Sequence, residues 1–251
     1  MIQQNGYFVC YSPGTSGAFI ASLVAQIVNN TDRKFEFTPN GNSHANMVDA
    51  NGGIDWARAP SPVTAEYFYQ NVFTFNSARP MVVQTHFKPV WTTIAERWPT
   101  FKVIMITHTD KDLEEIAASL FYKYYLDEFD SVAREAFLNV INVQAPHASS
   151  RNITSPKDMT DDEIKLFTKI IAYHKITDGY MYPEIPEKYK DQVLNLKFKD
   201  ITTDKDGTLN KLSTFLGMSI PEITKQNYDA YIGYQQKLIE EKAQWLKPYN
   251  Y

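Results

Sequence analysis

The sequence predicts an α/β protein, a three-layer sandwich in which a central parallel sheet of about five strands is flanked by helices. Three observations predict it. Short apolar runs rich in β-branched and aromatic residues alternate with longer segments of helical period, the order of a parallel sheet with helices on its faces. The 251 residues are 43% hydrophobic and 22% charged, which is ordinary globular composition with enough apolar material for a large core. The longest apolar stretches, Phe19 to Val28 and Phe101 to Ile106, fall far short of the roughly 20 residues a bilayer span needs, so a membrane protein is not expected.

The elements follow in order. Gly6 to Ser12 reads as a buried first strand, ended by the turn signal Pro13-Gly14. After Ser16, Phe19, Leu23 and Ile27 recur every four residues with Ile20 and Val24 beside them, which predicts a helix with a broad buried face. Lys34 to Thr38 reads as a second strand, and Pro39 to Gly53, rich in Asn and Gly, as a long surface loop of a length uncommon without a function. Thr64 to Phe75 is predicted helical, Met81 to Thr85 a strand ending at His86, and Phe101 to Thr107 a strand leading to a helix from about Asp112 to Tyr125. Asp130 to Asn142 and Thr160 to Thr177 read as helices, the second with Asp161, Asp162 and Glu163 in the first turn, where the helix dipole favours acids. Val193 to Phe198 is the last strand, Leu209 to Leu216 a helix stopped by Gly217, and Asn227 to Trp245 a long charged helix. Neither a repeat nor a convincing linker divides the chain, and residues 1–251 are expected to form a single domain.

Charge and cysteine narrow the function. With 25 Lys plus Arg against 29 Asp plus Glu, the net charge is −4 and the isoelectric point about 5.8. A protein that binds nucleic acid by bulk charge carries a basic excess instead, so no nucleic-acid partner is expected. The single cysteine, Cys10, forms no internal disulfide and no metal cluster. The opening Met-Ile-Gln-Gln-Asn-Gly-Tyr has no basic stretch before the first apolar run, so the expected location is cytoplasmic, with no secretory leader, no membrane partner and no bound metal. Aromatic residues make up 14% of the chain, with 16 Tyr, 15 Phe and 4 Trp. Such a content serves either core or ligand pockets.

In open parallel sheets ligands bind beyond the carboxyl ends of the strands, and three polar clusters fall there. Ser12-Pro13-Gly14-Thr15-Ser16-Gly17 lies between a strand and a helix, and offers amides, hydroxyls and a helix N-terminus to an anion. It is not a Walker A loop, because Ala18 and Phe19 follow Gly17 where that motif has Lys and Ser or Thr. The same segment reads equally as a simple helix cap. Thr85-His86-Phe87-Lys88-Pro89 ends the central strand; His86 has the chemistry of a general base, and also that of a residue bonding a neighbouring backbone group. Thr107-His108-Thr109-Asp110-Lys111-Asp112 is either a third binding segment or a capped helix start, with Asp110 or Asp112 as cap.

Together and in this order, the segments resemble a sulfotransferase that uses 3′-phosphoadenosine 5′-phosphosulfate as donor. Pro13-Gly14-Thr15-Ser16-Gly17-Ala18 is similar to the family's 5′-phosphosulfate loop, Pro-Lys-Ser/Thr-Gly-Gly/Thr-Thr. Val83 to Phe87 resembles the Lys-Thr-His-Leu-Pro segment that carries the catalytic base, and Val103 to Asp112 the strand and loop that hold the 3′-phosphate. Leu194-Asn195-Leu196-Lys197-Phe198-Lys199-Asp200, with Leu209 to Gly217 ending in Phe-Leu-Gly, resembles the family's Leu-Lys-Tyr-Glu-Asp strand and Phe-Leu-Gly helix. The resemblance spans residues 7 to 217. It implies a P-loop nucleoside triphosphate hydrolase-like fold and transfer of a sulfuryl group to a hydroxyl or amine of a small-molecule or glycan acceptor. His86 is then the base, Pro13 to Ala18 bind the 5′-phosphosulfate, His108 and Ser119 approach the 3′-phosphate, and Phe198 packs near the adenine.

The departures are specific. Gly14 stands at the family's loop lysine, His108 at its 3′-phosphate arginine and Ile116 at the expected serine, and the downstream Arg-Lys-Gly segment is absent. Each lost charge-assisted contact would cost on the order of 1.5–3 kcal/mol. Two other readings therefore stand: a non-catalytic binding protein on the same fold, and, with less support because loop lysine and magnesium carboxylate are missing, a P-loop kinase. Acceptor recognition is expected from Pro39 to Pro62 and Gln144 to Pro156, and Tyr11, Phe19, Phe87 and Phe198 are expected around the carboxyl edge of the sheet.

Overall fold

The computed structural model of the chain describes residues 6–12, 14–35, 56–59, 81–85, 89, 91–97, 100–109, 111–113, 116, 160–162 and 184–246. Two compact units divide the chain, Met1–His108 with Gly179–Gln235, and Thr109–Asp178 with Gln236–Tyr251. The first holds a five-stranded sheet formed by β1 (Gly6–Tyr11), β2 (Trp56–Ala59), β3 (Met81–Thr85), β4 (Lys102–Thr107) and β5 (Val193–Lys197). The spatial order is β2-β3-β1-β4-β5, and every neighbouring pair is parallel. The expected parallel α/β sheet is therefore present.

The central strand is β1, and all six of its residues are buried. Strands covered on both faces read as continuous apolar runs, as Tyr-Phe-Val-Cys-Tyr does. Phe8 and Cys10 of β1 join Val103 and Met105 of β4, Phe101 and Ile94, the last from helix α2 (Trp91–Arg97), in a core cluster on one face. Burial in this cluster pushes the Cys10 thiol pKa well up, which makes the residue core and not a nucleophile. Residues on the alternate face, Tyr7, Val9 and Tyr11 with Ile104 and Ile106, are equally buried. Helix α1 (Gly17–Asn29) packs on β1 and β3, its first residue against the Tyr11 ring, and so supplies the opposite layer. The periodic residues Phe19, Ile20, Leu23, Val24 and Ile27 are all buried as the spacing predicts. The helix ends at Asn30 in the left-handed region (φ 49°), a conformation that asparagine tolerates.

The remaining helices of this unit follow the last strand: α3 (Phe198–Thr203), α4 (Lys205–Leu216) and α5 (Glu222–Leu246), which runs on into the second unit. Asp204 caps α4 by accepting from the Gly207 amide at 2.9 Å. The predicted stop at Gly217 is present, its φ of 70° supplying the left-handed cap while its amide donates to Ser213 O. Helix α5 is held by a buried polar network. Asn227 Oδ1 accepts from the Phe35 amide at 2.9 Å, and its Nδ2 donates to Arg33 O at 2.9 Å and Gln26 Oε1 at 3.1 Å. Gln26 Nε2 also donates to Arg33 O, at 2.8 Å. Next to Asn227, the Tyr228 hydroxyl donates to Ile201 O at 2.8 Å, and its ring meets Phe19 edge-on.

Several expectations are corrected. The second strand in sequence is Trp56–Ala59, inside the segment read as acceptor loop, whereas Lys34 and Phe35 lie outside any strand. There the chain is fixed by Asn227, which takes the hydrogen bonds a sheet neighbour would have taken. Phe198 opens helix α3 instead of ending β5, and α2 and a 3-10 turn at Glu187–Gln192 were not foreseen. Helices expected at 64–75, 130–142 and most of 160–177 lie outside the described residues. No helix among the described residues is long and apolar enough to cross a membrane.

In the second unit, Thr109 caps the helical turn 111–113. Its amide and hydroxyl donate to Asp112 Oδ2 at 2.7 and 2.9 Å, and the Asp112 amide donates back to Thr109 Oγ1 at 3.3 Å. This is a reciprocal capping box in which Thr109 is the cap and Asp112 lies within the helical turn.

Replacing Asn227 by Leu keeps the branched shape of the side chain but removes the hydrogen-bond partner of the Phe35 amide and of Gln26 Oε1. A loss of about 2–3 kcal/mol is expected by urea denaturation, and an unchanged midpoint would show that the network adds nothing to stability.

Candidate functional site

Parallel pairing brings the carboxyl ends of the strands to one edge. Cys10 pairs with Thr85 and Tyr11 with Ile106, so the first loop leaves β1 level with the ends of β3 and β4. The chain leaves β1 toward β3 and β2, and leaves β4 toward β5. Adjacent strands whose connections run to opposite sides open a crevice between them, the usual ligand position in such sheets. Here that crevice lies between β1 and β4.

Two side chains meet across it. Ser12 Oγ and His108 Nε2 are 3.1 Å apart, a hydrogen bond whose direction depends on the imidazole tautomer. Ser12 is fully buried and His108 half-buried. The pair joins the first and third of the clusters singled out above, and it brings in Ser12, which is in the loop sequence but not among the assigned contacts.

The loop after Ser12 is built from its own hydrogen bonds. The Thr15 amide and hydroxyl both donate to Ser12 O, at 3.2 and 2.7 Å. The Thr15 hydroxyl proton, expected to serve a ligand, is thus used inside the loop. Gly14 is exposed at φ 84°, a conformation that lysine would adopt only under strain. The lysine of the loop that this segment resembles is therefore missing here in backbone shape as well as in charge. Ser16 is the residue before α1 and lies in the left-handed region (φ 63°, ψ 17°) with no side-chain cap bond. Its Oγ accepts instead from the hydroxyl of Tyr231 on α5, whose ring stacks on Phe19 at a centroid distance of 3.7 Å.

Gly17 starts the helix in direct contact with the sheet. A Cβ there would lie 1.9 Å from Tyr11 Cγ, pressed against the ring well inside van der Waals contact. Any side chain would push the helix start away from the strand end. The first turn carries no acid, and its leading amides have no partner within the helix. Among the described residues of α1 no acid offsets the positive end of the helix dipole, an arrangement that suits an anion. No Lys or Arg occurs between Ser12 and Asn30, and among the described residues the imidazole of His108 contacts the loop through Ser12.

Of the residues assigned from sequence, Gly14, Thr15, Ser16, Gly17 and Ala18 share this loop and helix start, and His108 joins them through Ser12. Phe198 is buried one residue beyond the end of β5. Pro13, His86 and Ser119 lie outside the described residues, as does Phe87. Phe19 faces Phe35, Tyr228 and Tyr231, which makes its ring part of the α1–α5 contact. Tyr231 was missed, although Thr224, Asn227, Tyr228 and Tyr231 form a buried stripe at helical spacing in the sequence. Among the described residues no group of three or more His, Cys, Asp or Glu is placed to hold a metal.

No family model and no curated protein matches the chain by sequence. Among solved structures, mouse sulfotransferase SULT7A1 complexed with PAP superposes with a TM-score of 0.47 at 14% identity, over 92% of this chain and 65% of that one. The present chain thus spans slightly less than two thirds of the mouse protein. A sulfotransferase from Alicyclobacillus acidocaldarius gives 0.40 at 12% identity, over 97% and 99% of the two chains. Retinol dehydratase in complex with androsterone and inactive cofactor PAP gives 0.37 at 12%, over 96% and 79%. The functional reading below rests on this chain's own residues.

Substituting Gly17 by Ala tests the contact at the helix start. The expected cost is about 1–3 kcal/mol of stability, the range for overpacking a filled site, read as a lower denaturation midpoint. An unaltered midpoint would mean that the Tyr11 ring moves aside freely.

Proposed function

We propose that the protein is a sulfotransferase that moves a sulfuryl group from 3′-phosphoadenosine 5′-phosphosulfate to a hydroxyl or amine of a small-molecule or glycan acceptor. One observation carries the reading: an acid-free helix start and its loop stand at the crevice where Ser12 meets His108. The order of the motifs from residue 7 to residue 217 supports it.

The residues present suit a polyanionic donor through amides and hydroxyls more than through fixed cations. The loop from Pro13 to Ala18 would hold the 5′-phosphosulfate, with the Ser16 hydroxyl and the leading amides of α1 as donors. His108, when protonated, would face the 3′-phosphate, and Phe198 would pack toward the adenine. When bound, the donor supplies an activated sulfuryl group with the nucleotide as leaving group. His86, next in sequence after the last residue of β3, takes the acceptor proton on an imidazole nitrogen as the acceptor oxygen or nitrogen bonds to sulfur. Amides fixed at the helix start stabilise the negative charge that builds up, at no reorganisation cost during the reaction.

The second reading, a binding protein on the same fold, is favoured by the positive φ of Gly14, which leaves the loop without the family's lysine. Calorimetry with 3′-phosphoadenosine 5′-phosphate tests the donor site common to both readings. Binding heat and a thermal shift are expected, and neither at millimolar ligand would overturn the donor-site assignment. Transfer assays then separate the two. His86→Ala should lower kcat by about 10²–10⁴-fold with nucleotide affinity kept, and an undiminished rate would remove His86 from the mechanism.

A further inference from the structure

We infer that Tyr231 is a positioning residue for the anion-binding loop: by engaging Ser16 Oγ it keeps the N-terminal amides of α1 available to a ligand instead of letting the helix cap itself. The inference rests on the donor-site reading above and deepens it.

A serine before a helix ordinarily takes extended backbone and gives its oxygen to an amide of the first turn. Ser16 does neither. It sits in the left-handed region, disfavoured for a residue with a Cβ, and makes no cap bond. Conformations of this kind persist only where the surroundings impose them. The imposing group is the Tyr231 hydroxyl, which donates to Ser16 Oγ from 215 residues further along the chain. Tyr231 itself has little freedom to adjust. It is 2% exposed, its ring lies parallel to Phe19 at an interplanar angle of 9°, and its helix is pinned by the Asn227 network one turn earlier. On the other side, Gly17 is fixed against Tyr11. Ser16 is thus the adjustable link between two rigid contacts, and the tyrosine hydroxyl decides which conformation it takes. Removing that hydroxyl frees Ser16 to relax to extended backbone, cap α1 and compete with an incoming anion for the same amides.

Tyr231→Phe keeps the stacked ring and removes only the hydroxyl, so the fold is expected to survive, as a thermal melt would verify. The expected results are a loss of about tenfold in affinity for 3′-phosphoadenosine 5′-phosphate, within the net worth of one hydrogen bond, and slower hydrogen exchange at the first-turn amides of ligand-free α1. Both effects should vanish when Tyr231→Phe is made in the S16A background, because no serine oxygen is left to cap the helix. Equal losses in the two backgrounds, or no loss, would overturn the inference and reduce Tyr231 to packing. If the unmodified protein does not bind the nucleotide, the donor-site reading fails. The exchange measurement still decides the positioning role: slower exchange in Tyr231→Phe sustains it, and unchanged exchange overturns it.

Discussion

Parallel pairing of β1 with β3 on one side and β4 on the other is the constraint on which the rest of the molecule depends. Parallel strands send their carboxyl ends the same way, so each segment that follows a strand is delivered to one edge. The register sets the segments level, with Cys10 opposite Thr85 and Tyr11 opposite Ile106. A strand burying both faces must also carry apolar residues throughout, which pushes polar chemistry out of β1 and into the residues just after it. Ser12, the first residue past Tyr11, is where polarity begins, and it meets His108 at once.

The helix that follows has two distinct supports. One is steric: Gly17 lets the backbone touch the Tyr11 ring, which fixes where α1 starts. The other is polar and remote: α5 reaches α1 through Asn227 and Gln26, through the ring of Phe19, and through the Tyr231 hydroxyl. The segment between these supports carries no Lys or Arg. Its polar groups are amides and hydroxyls, with the His108 imidazole joined to them through Ser12.

Much of this was legible in the sequence because the signals were local. Strands β1, β3, β4 and β5 stand out as apolar runs bounded by turn residues, α1 by its period, and the end of α4 by Gly217. Trp56–Ala59 was not legible: a four-residue edge strand containing Arg58 has neither length nor alternation to separate it from a loop. Lys34-Phe35 resembled a strand, yet what satisfies its backbone is a side chain nearly two hundred residues away, which no window along the chain contains. The same limit hid part of the site. Gly14 to Ala18 and His108 were found as motif neighbours, whereas Ser12 as partner of His108 and Tyr231 as partner of Ser16 are products of tertiary packing.

The distance between Ser16 and Tyr231 also orders events as the chain is made. Ser16 is synthesised 215 residues before Tyr231, and long-range closures of this kind are slow to form. A chain without α5 lacks both Asn227, which bonds Gln26, Arg33 and Phe35, and the Tyr231 hydroxyl that engages Ser16. The Ser16–Tyr231 hydrogen bond can form only once α1 and α5 have both been made, so the conformation of the loop reports that the two helices have met.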